Sequence, residues 1–290
     1  MRRISVFCIF FCPLFVQLHA VVILVHGTFA YDVSWCKPGG DFYETLKKSA
    51  KKIGHKIVPF TWSGKLNDFA RLQAAQSLLE TLASYPATEK KILVGHSHGG
   101  NVINLVTQLL NNPVYHTLHN VFNTEPTQSK VDISALCNEL GLVSSSDWFM
   151  KPDLFSIRIP IQSYAIDSVY LLATPVDEIV YAPCMNMVRQ VFNLYSIGDY
   201  IQTVLGIYGR SYKSCERMMN LRVVIKETGI FKDNNPTHSQ MHHELLAESL
   251  FDIPELVKKQ SSNFMIALLE DGSLSIHPEK VNPLKGIQVD

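Results

Sequence analysis

The sequence carries little charge, and none of that charge is concentrated. Charged residues make up 18% of the 290 residues, and Lys plus Arg equal Asp plus Glu at 26 each, so the formal net charge is zero with His neutral. No dense block of Lys and Arg occurs along the chain, which argues against nucleic acid as a partner. Hydrophobic residues account for 47% of the sequence, too many for a disordered chain. We therefore expect a folded protein with one sizeable core.

The sequence also lacks an uninterrupted apolar run of the roughly 20 residues that cross a bilayer. The nearest candidate is N-terminal, where Arg2 and Arg3 precede the apolar stretch 4–16, and Leu18 and Ala20 fit the small-residue pattern of a cleavage site. Three residues interrupt the longer apolar run from 4 to 25: Pro13, Gln17 and His19. The pattern predicts a signal peptide over 1–20 and an exported protein. A membrane anchor that is not cleaved is the alternative, because apolar residues resume at 21–25.

Cysteine is scarce, with six residues, of which Cys8 and Cys12 lie in the predicted signal peptide. The remaining four are Cys36, Cys137, Cys184 and Cys215. Their spacing matches no zinc motif, and export would allow them to form one or two disulfides. Four reduced, partly buried thiols are the alternative.

The sequence does contain short β-branched runs that alternate with helical patterns. It predicts strands over 21–25, 55–62, 91–94, 168–173, 191–196 and 221–226, and helices over 41–52, 66–84, 101–110 and 241–250. This alternation is typical of an α/β fold, with a mostly parallel central sheet and helices on both faces.

Two segments do not fit the alternation. Residues 113–165 separate a helix from the next strand by far more than a usual connection. We interpret them as a lid or cap insertion, with an inert excursion of short helices as the alternative. Residues 251–290 form a C-terminal extension in which 264–269 and 274–277 flank Asp271-Gly272 and predict a β-hairpin. The predicted organisation is a signal peptide over 1–20, one domain over 21–250 and this extension.

A Gly-x-Ser-x-Gly motif, Gly95-His96-Ser97-His98-Gly99, stands between a predicted strand and a predicted helix. In that context the serine lies on a sharp turn above the sheet, and the glycines let the strand and helix backbones pass closely. The first amides of the helix and its dipole would then stabilise negative charge that develops beside the serine. We predict Ser97 as a catalytic nucleophile; a purely structural glycine-rich turn is the alternative.

The first predicted strand ends in His26-Gly27-Thr28-Phe29. Together with the motif at Ser97, this segment resembles the α/β-hydrolase superfamily, and its lipase and esterase branch in particular. The resemblance covers roughly residues 21–250 and implies the α/β-hydrolase fold with a minimal N-terminus, since the chain starts directly at the His-Gly strand. It also implies an oxyanion hole made by the backbone N–H of Thr28, or alternatively Phe29, and by that of His98. An ordinary strand-ending turn is the alternative for His26-Gly27.

A serine nucleophile needs a histidine that accepts its proton and an acid that orients the histidine. The family order places the acid before the histidine. Asp199 follows the predicted strand 191–196 and is our candidate acid. Asp177, after the preceding strand, is the alternative, and Asp167 fits worse because it precedes its strand.

The candidate base lies in the segment Pro236-Thr237-His238-Ser239-Gln240-Met241-His242-His243. His238 precedes the helical pattern and resembles the base of the family, His242 is the alternative base, and His243 would lie on another side of the helix. His238 and His242 could instead hold a metal at i, i+4, but no third ligand is evident. His96 and His98 flank the serine, and we expect them to line the pocket or pack against the turn.

These residues predict an exported serine hydrolase that cleaves carboxylic esters through Ser97, His238 and Asp199, with an acyl-enzyme intermediate. Neither an organic cofactor nor a metal is required. The resemblance, the predicted export and the neutral charge favour acyl or lipid esters as substrates, with contact to a membrane or lipid surface. A thioesterase, an amidase, an acyltransferase or a catalytically inactive binding protein are the alternatives, because a fold alone does not separate them.

Overall fold

The computed structural model describes residues 19–30, 33–111, 165–201, 209–226, 235–258, 264–269 and 274–278. The predicted signal peptide lies outside these residues except for its last two positions, and the predicted insertion 113–165 lies outside them except for residue 165. Cys137 also lies outside the described residues. The predicted cleavage point after Ala20 falls at the first peptide bond of the first strand.

Eight strands form one sheet. Their bounds are β1 Ala20–Val25, β2 Lys56–Phe60, β3 Lys90–His96, β4 Ile166–Leu172, β5 Val188–Tyr195, β6 Met218–Lys226, β7 Phe264–Leu269 and β8 Leu274–Pro278. The order across the sheet is β2-β1-β3-β4-β5-β6-β7-β8. Every neighbouring pair from β2 to β7 is parallel, and β8 pairs antiparallel with β7. The two C-terminal strands therefore extend the main sheet.

Five α-helices accompany the sheet within the described residues: α1 Asp41–Lys52, α2 Asp68–Ala83, α3 His98–Asn111, α4 Glu244–Ser249 and α5 Ile253–Val257. A 3₁₀ turn, Ser239–His242, precedes α4. The sequence predicted a single helix over 241–250, which is wrong. His243 has extended backbone angles and separates the 3₁₀ turn from α4, whose Leu245 amide donates to the His243 ring.

The core lies on both faces of the sheet. All six residues of β1 are fully buried, as expected for a parallel strand that is covered on both sides. Alternate β1 residues divide between two apolar clusters. Val22 and Leu24 pack with α1, α4 and α5, whereas Ile23 and Val25 pack with α2 and α3. The predicted mostly parallel sheet with helices on both faces is therefore confirmed.

The parallel strands direct their carboxyl ends to one edge of the sheet. The turns after β1, β3, β4 and β5 lie at this edge, and residues 235–243 lie in the connection that follows β6. The residues that flank the predicted insertion, Asn111 and Ile166, lie at the end of α3 and the start of β4, and both therefore belong to the opposite edge. No helix in the described part of the chain is both long and apolar enough to span a bilayer.

Candidate active site

Ser97 has a strained backbone conformation between β3 and α3. Its φ is +54°, in the left-handed region that residues other than glycine seldom adopt. Its amide donates to the carbonyl of Leu172 at the end of β4, and its carbonyl accepts from the amide of Gly100, each over 2.9 Å. Hydrogen bonds on both sides of the residue hold the turn in place, which is how a fold maintains strain at a functional position.

Two glycines of the motif are required because backbones approach closely here. A Cβ at Gly99 would lie 2.3 Å from the carbonyl oxygen of Val25, and a Cβ at Gly95 would lie 2.7 Å from the amide nitrogen of Gly100. Both distances are shorter than a carbon atom allows. Consequently β1, β3 and α3 can meet at this point only where side chains are absent.

The loop after β1 borders the serine hydroxyl. A Cβ at Gly27 would lie 2.7 Å from the Cβ of Ser97 and 3.3 Å from its Oγ, so Gly27 lies directly against the serine, and Thr28 is the next residue of the loop. The N–H of Phe29 donates to the carbonyl of Gly64 over 2.9 Å and is therefore already in use. Of the two donors expected in the loop, the geometry favours Thr28.

His26 and Trp62 fix this loop, a contact that the sequence did not predict. The main-chain N–H of Trp62 donates to His26 Nε2 over 3.1 Å, and its indole N–H donates to the His26 carbonyl over 2.7 Å. Because Nε2 accepts, the proton of the neutral ring is on Nδ1, which lies 2.8 Å from the Gly27 carbonyl oxygen. Burial lowers the pKa of His26, so the ring stays neutral and holds the His-Gly turn.

His238 and Asp199 form a hydrogen-bonded pair at the same edge of the sheet. His238 Nδ1 lies 2.7 Å from Asp199 Oδ2, and Asp199 is fully buried. The other carboxylate oxygen accepts from the amide of Ile201 over 3.1 Å. Since a carboxylate accepts, Nδ1 carries the proton and Nε2 keeps the lone pair that a general base requires. The His238 ring lies 4.7 Å, centroid to centroid, from the ring of His96, the residue before Ser97.

The two other candidate acids make different contacts. Asp177 Oδ1 accepts from the amides of Ile179 and Val180 over 3.0 Å each, so this carboxylate caps its own turn. Asp167 forms an ion pair with Arg189 at 3.0 Å. Among the described residues, the structure brings Asp199 to His238 and brings neither Asp177 nor Asp167 there.

The two other candidate bases have no acid partner among the described residues. The His242 ring stacks on Trp35, with centroids 5.2 Å apart and planes 11° apart. Burial, with smaller effects from neighbouring histidines, lowers the pKa of His242 to about 4. His243 caps α4 by accepting from the amide of Leu245 over 3.3 Å. Both rings therefore have structural contacts of their own.

The histidines that flank Ser97 are buried against the turn. His96 Nε2 lies 2.9 Å from the carbonyl oxygen of His238. His98 Nδ1 lies 3.1 Å from the side-chain amide of Asn101. Burial and then the nearby charge of Arg71 lower the pKa of His98 to about 4. Arg71 in turn donates to the hydroxyl of Tyr181 over 2.8 Å, so a buried polar cluster that the sequence did not reveal lies within electrostatic reach of the turn.

Within residues 19–278, excluding the undescribed gaps, no three His, Cys, Asp or Glu side chains are grouped as metal ligands would be. Cys36, Cys184 and Cys215 are free thiols, so no disulfide joins any two of these three.

The arrangement of turns and strands defines the fold. Six consecutive parallel strands in the order β2-β1-β3-β4-β5-β6 place the serine turn after β3 and the His-Gly turn after the adjacent β1. This is the α/β-hydrolase fold, and the prediction made from the two motifs is confirmed.

No family model matches the chain, and no curated protein matches it. Solved structures do. A protein from Xanthomonas campestris pv. campestris, described as a hydrolase of the α/β superfamily, is 13% identical over 83% of this chain and 99% of its own, with a TM-score of 0.41. An esterase domain from Rhodothermus marinus is 13% identical over 83% and 88%, with a TM-score of 0.39. Mouse α/β-hydrolase domain-containing protein 10 is 17% identical over 83% and 90%, with a TM-score of 0.33. Because these scores are low, the fold assignment rests on the strand order and turns of this chain.

Proposed function

We propose that this chain is a serine hydrolase that cleaves carboxylic esters, with Ser97 as nucleophile, His238 as general base and Asp199 as the acid that orients the base. The observation that carries the proposal is a serine at φ +54° in a strand-to-helix turn, at the same edge of the sheet as a histidine whose Nδ1 is hydrogen-bonded to a buried carboxylate. A serine hydroxyl is a weak nucleophile, and this set of groups is the one that activates it.

The first half of the proposed reaction transfers the acyl group to the enzyme. Ser97 Oγ attacks the carbonyl carbon, and its proton moves to His238 Nε2 as the new C–O bond forms. Asp199 accepts from Nδ1 and stabilises the imidazolium that results. The tetrahedral intermediate then breaks its bond to the alcohol oxygen, which takes the proton from His238.

The second half releases the acid and restores the enzyme. A water molecule attacks the acyl carbon, and its proton moves to His238 Nε2. The bond between the carbon and Ser97 Oγ breaks, and the serine regains its proton from His238. The backbone N–H groups of Thr28 and His98 are the proposed donors to the oxyanion in both halves. A single donor of this kind typically changes kcat by about 10²–10³-fold.

The proposed substrates have an apolar acyl or alcohol part. Of the eight large apolar side chains that are exposed in the described part of the chain, seven belong to loops or first helical turns after the carboxyl ends of β1, β2, β4 and β5. They are Phe29, Leu66, Phe69, Ile179, Ile197, Tyr200 and Ile201. Exposed apolar side chains concentrated at one edge commonly mark where an apolar ligand binds. This distribution supports acyl or lipid esters.

Export and contact with a lipid surface belong to the same proposal. They are supported by the positive and apolar N-terminal pattern, most of which lies outside the described residues, and by the exposed apolar side chains. Secretion of a reporter that carries residues 1–30, followed by N-terminal sequencing, tests the first point. A new N-terminus at Val21 supports cleavage, and an intact reporter held in the membrane supports the anchor.

Labelling with a fluorophosphonate probe tests the nucleophile and the base. We expect the wild type to be labelled, and expect Ser97→Ala and His238→Ala to lose labelling. His242→Ala is the matched control, since no carboxylate in the described part of the chain pairs with its ring, and it should still be labelled. A folded wild-type protein that takes no label would favour a binding protein, and loss of labelling only in His242→Ala would reassign the base.

A series of p-nitrophenyl esters of rising chain length tests the substrate class. We expect kcat/KM to increase from acetate to longer acyl chains. A preference for acetate, or equal turnover along the series, would remove the apolar acyl group from the proposal. Turnover of a matched thioester or anilide series above the ester series would favour the thioesterase or amidase alternative.

A further inference from the structure

We propose that His96, the residue before the nucleophile, is a positioning residue that holds the main chain of His238 at a fixed place beside Ser97. This inference rests on the proposed function, because it assigns a task to a side chain in the same site. The contact is the hydrogen bond between His96 Nε2 and the His238 carbonyl oxygen, at 2.9 Å.

The direction of this hydrogen bond follows from its chemistry. A carbonyl oxygen only accepts, so Nε2 of His96 must carry the proton and donate. His96 is 6% exposed, so water does not compete for this contact to any large extent. Burial, together with the nearby His238 and His242, holds the pKa of His96 well below its usual value. The ring is therefore neutral, and its single proton is the one used in this bond.

Two contacts hold the base, and they act on different parts of the residue. Asp199 binds the His238 imidazole, while His96 binds the main chain of the same residue. The His238 carbonyl also accepts from the amide of Met241, over a longer 3.4 Å, inside its own 3₁₀ turn. The His96 contact is thus the shorter of these two hydrogen bonds to this oxygen, and it reaches outside the local turn.

This contact ties the base directly to the nucleophile. His96 is the last residue of β3 and is joined by one peptide bond to Ser97, whose amide is bonded to β4. A hydrogen bond from His96 to His238 therefore makes the separation of Oγ and Nε2 depend on the central strands of the sheet. Displacement of a reacting group by about 1 Å can cost as much as 10²-fold in rate, so a fixed separation has a direct kinetic effect.

The His96 side chain is held in this orientation by aromatic rings. The Trp35 ring lies 5.6 Å from it with planes at 70°, and the His242 ring lies 5.0 Å from it with planes at 81°. Trp35 and His242 stack on each other, so two neighbouring rings pack against the His96 ring. Because the ring cannot turn freely, the donor stays directed at residue 238.

A pair of substitutions separates the donor from the rest of the side chain. In His96→Gln the amide nitrogen lies near the former position of Nε2 and can still donate. In His96→Asn the amide nitrogen lies near the former position of Nδ1, too far from the His238 carbonyl oxygen to donate to it. We expect His96→Gln to keep kcat for p-nitrophenyl butyrate within about threefold of the wild type. We expect His96→Asn to lose about tenfold, the effect of one buried hydrogen bond, with KM changed by less than about twofold.

The unfolding midpoint in urea is measured for both variants, because a purely structural role would change stability without this split between kcat and KM. Equal kcat in the two variants, or a rise in KM that accounts for the loss, overturns the inference.

If either variant fails to fold, the tautomer of His96 in the wild-type protein decides. ¹⁵N-histidine NMR should show His96 protonated at Nε2 with slow exchange, and protonation at Nδ1 overturns the inference. Failure of Ser97-dependent probe labelling would instead count against the proposed function, and the tautomer would still be measurable.

Discussion

At the scale of single residues, the acid that orients His238 is distinguished by what it contacts. Asp199 is fully buried and bonded to His238 at 2.7 Å, whereas Asp177 accepts two amides of its own turn. Both carboxylates follow strands at the same edge, so position along the chain does not separate them. Their hydrogen-bond partners do.

We predict that Asp199→Asn lowers kcat for a soluble ester by about 10³–10⁴-fold, because an amide at this place favours the wrong imidazole tautomer. Asp177→Asn is the matched control, and its kcat should stay within about threefold of the wild type, since an amide oxygen can still accept in the turn. Steady-state kinetics on the two purified variants checks this. A larger loss in Asp177→Asn than in Asp199→Asn would exchange the two assignments.

Phe29 is a second residue whose local geometry calls for explanation. Its φ is +57°, and its side chain is 76% exposed. A left-handed backbone costs a bulky residue roughly 1–2 kcal/mol, and an exposed ring recovers little of that cost by packing. Its place in the loop whose Gly27 lies against Ser97 is the kind of position where strain persists for a functional reason.

We predict that Phe29→Asn raises the free energy of unfolding by about 1 kcal/mol, because asparagine tolerates this conformation. The same change should lower kcat/KM for long-chain esters more than for acetate. Urea denaturation and the ester series measure the two effects. A less stable variant would show that the Phe29 ring is needed for folding. An unchanged chain-length preference would show that the ring does not contact the substrate.

At the scale of elements, the meeting of β1, β3 and α3 depends on a missing side chain. At Gly99 an added Cβ would meet two backbone oxygens, at 2.3 Å from Val25 and 2.5 Å from His26. Backbone atoms in the central strands cannot move aside as a flexible side chain would. At Gly209, by contrast, a Cβ would meet atoms no closer than 3.9 Å.

We predict that Gly99→Ala destabilises the fold by more than about 2 kcal/mol, an effect of overpacking, and also abolishes probe labelling. Gly209→Ala should change the free energy of unfolding by less than about 0.5 kcal/mol, because the added methyl group makes ordinary contacts. Chemical denaturation of both variants provides the comparison. Similar stability in the two variants would mean that the elbow, the strand-to-helix turn at residues 95–99, adjusts more easily than its geometry indicates.

Elements that have a local sequence pattern could be predicted from the sequence. Contacts between segments that are distant along the chain could not. The buried run at 21–25 and the glycines around Ser97 identify β1 and the elbow, because burial on both faces and close backbone approach restrict residue type at each position. His243 caps α4, and so the single helix expected over 241–250 is broken at this residue. The sequence did not reveal the break, because a histidine at this position fits a helical pattern as well as it fits a cap. No periodicity connects His26 with Trp62, although their hydrogen bonds fix the loop after β1.

The same limit applies to the candidate site. Ser97, His238 and Asp199 were named from motif and order along the chain, and the structure brings the last two to hydrogen-bonding distance. The contact of His96 with the His238 carbonyl joins residues 142 positions apart, and its residue types carry no signal of it. Pairing across the sheet edge is a product of the fold as a whole.

At the scale of the whole molecule, buried neutral histidines link folding to pH. Burial lowers the pKa of His26, His55, His96, His98 and His242, and for His98 and His242 the value falls to about 4 from 6.5. In the unfolded chain each of these rings binds a proton near pH 6.5, while the folded chain resists binding it until a lower pH. Between these values the unfolded state holds more protons, so stability must fall as the pH is lowered through this window.

We therefore predict that the free energy of unfolding changes little between about pH 7 and 8 and decreases steadily between pH 6.5 and 4. His98 and His242 each contribute on the order of 3 kcal/mol to the decrease, because burial lowers the pKa of each ring from 6.5 to about 4. His242→Phe should flatten this dependence, because a phenyl ring can keep the stacking on Trp35 but has no proton to gain. Urea denaturation at half-unit steps of pH measures both slopes. A wild-type stability that rises on acidification, or a variant whose slope equals that of the wild type, would show that these rings are accessible to protons in the folded state and that the core around the site is open to water.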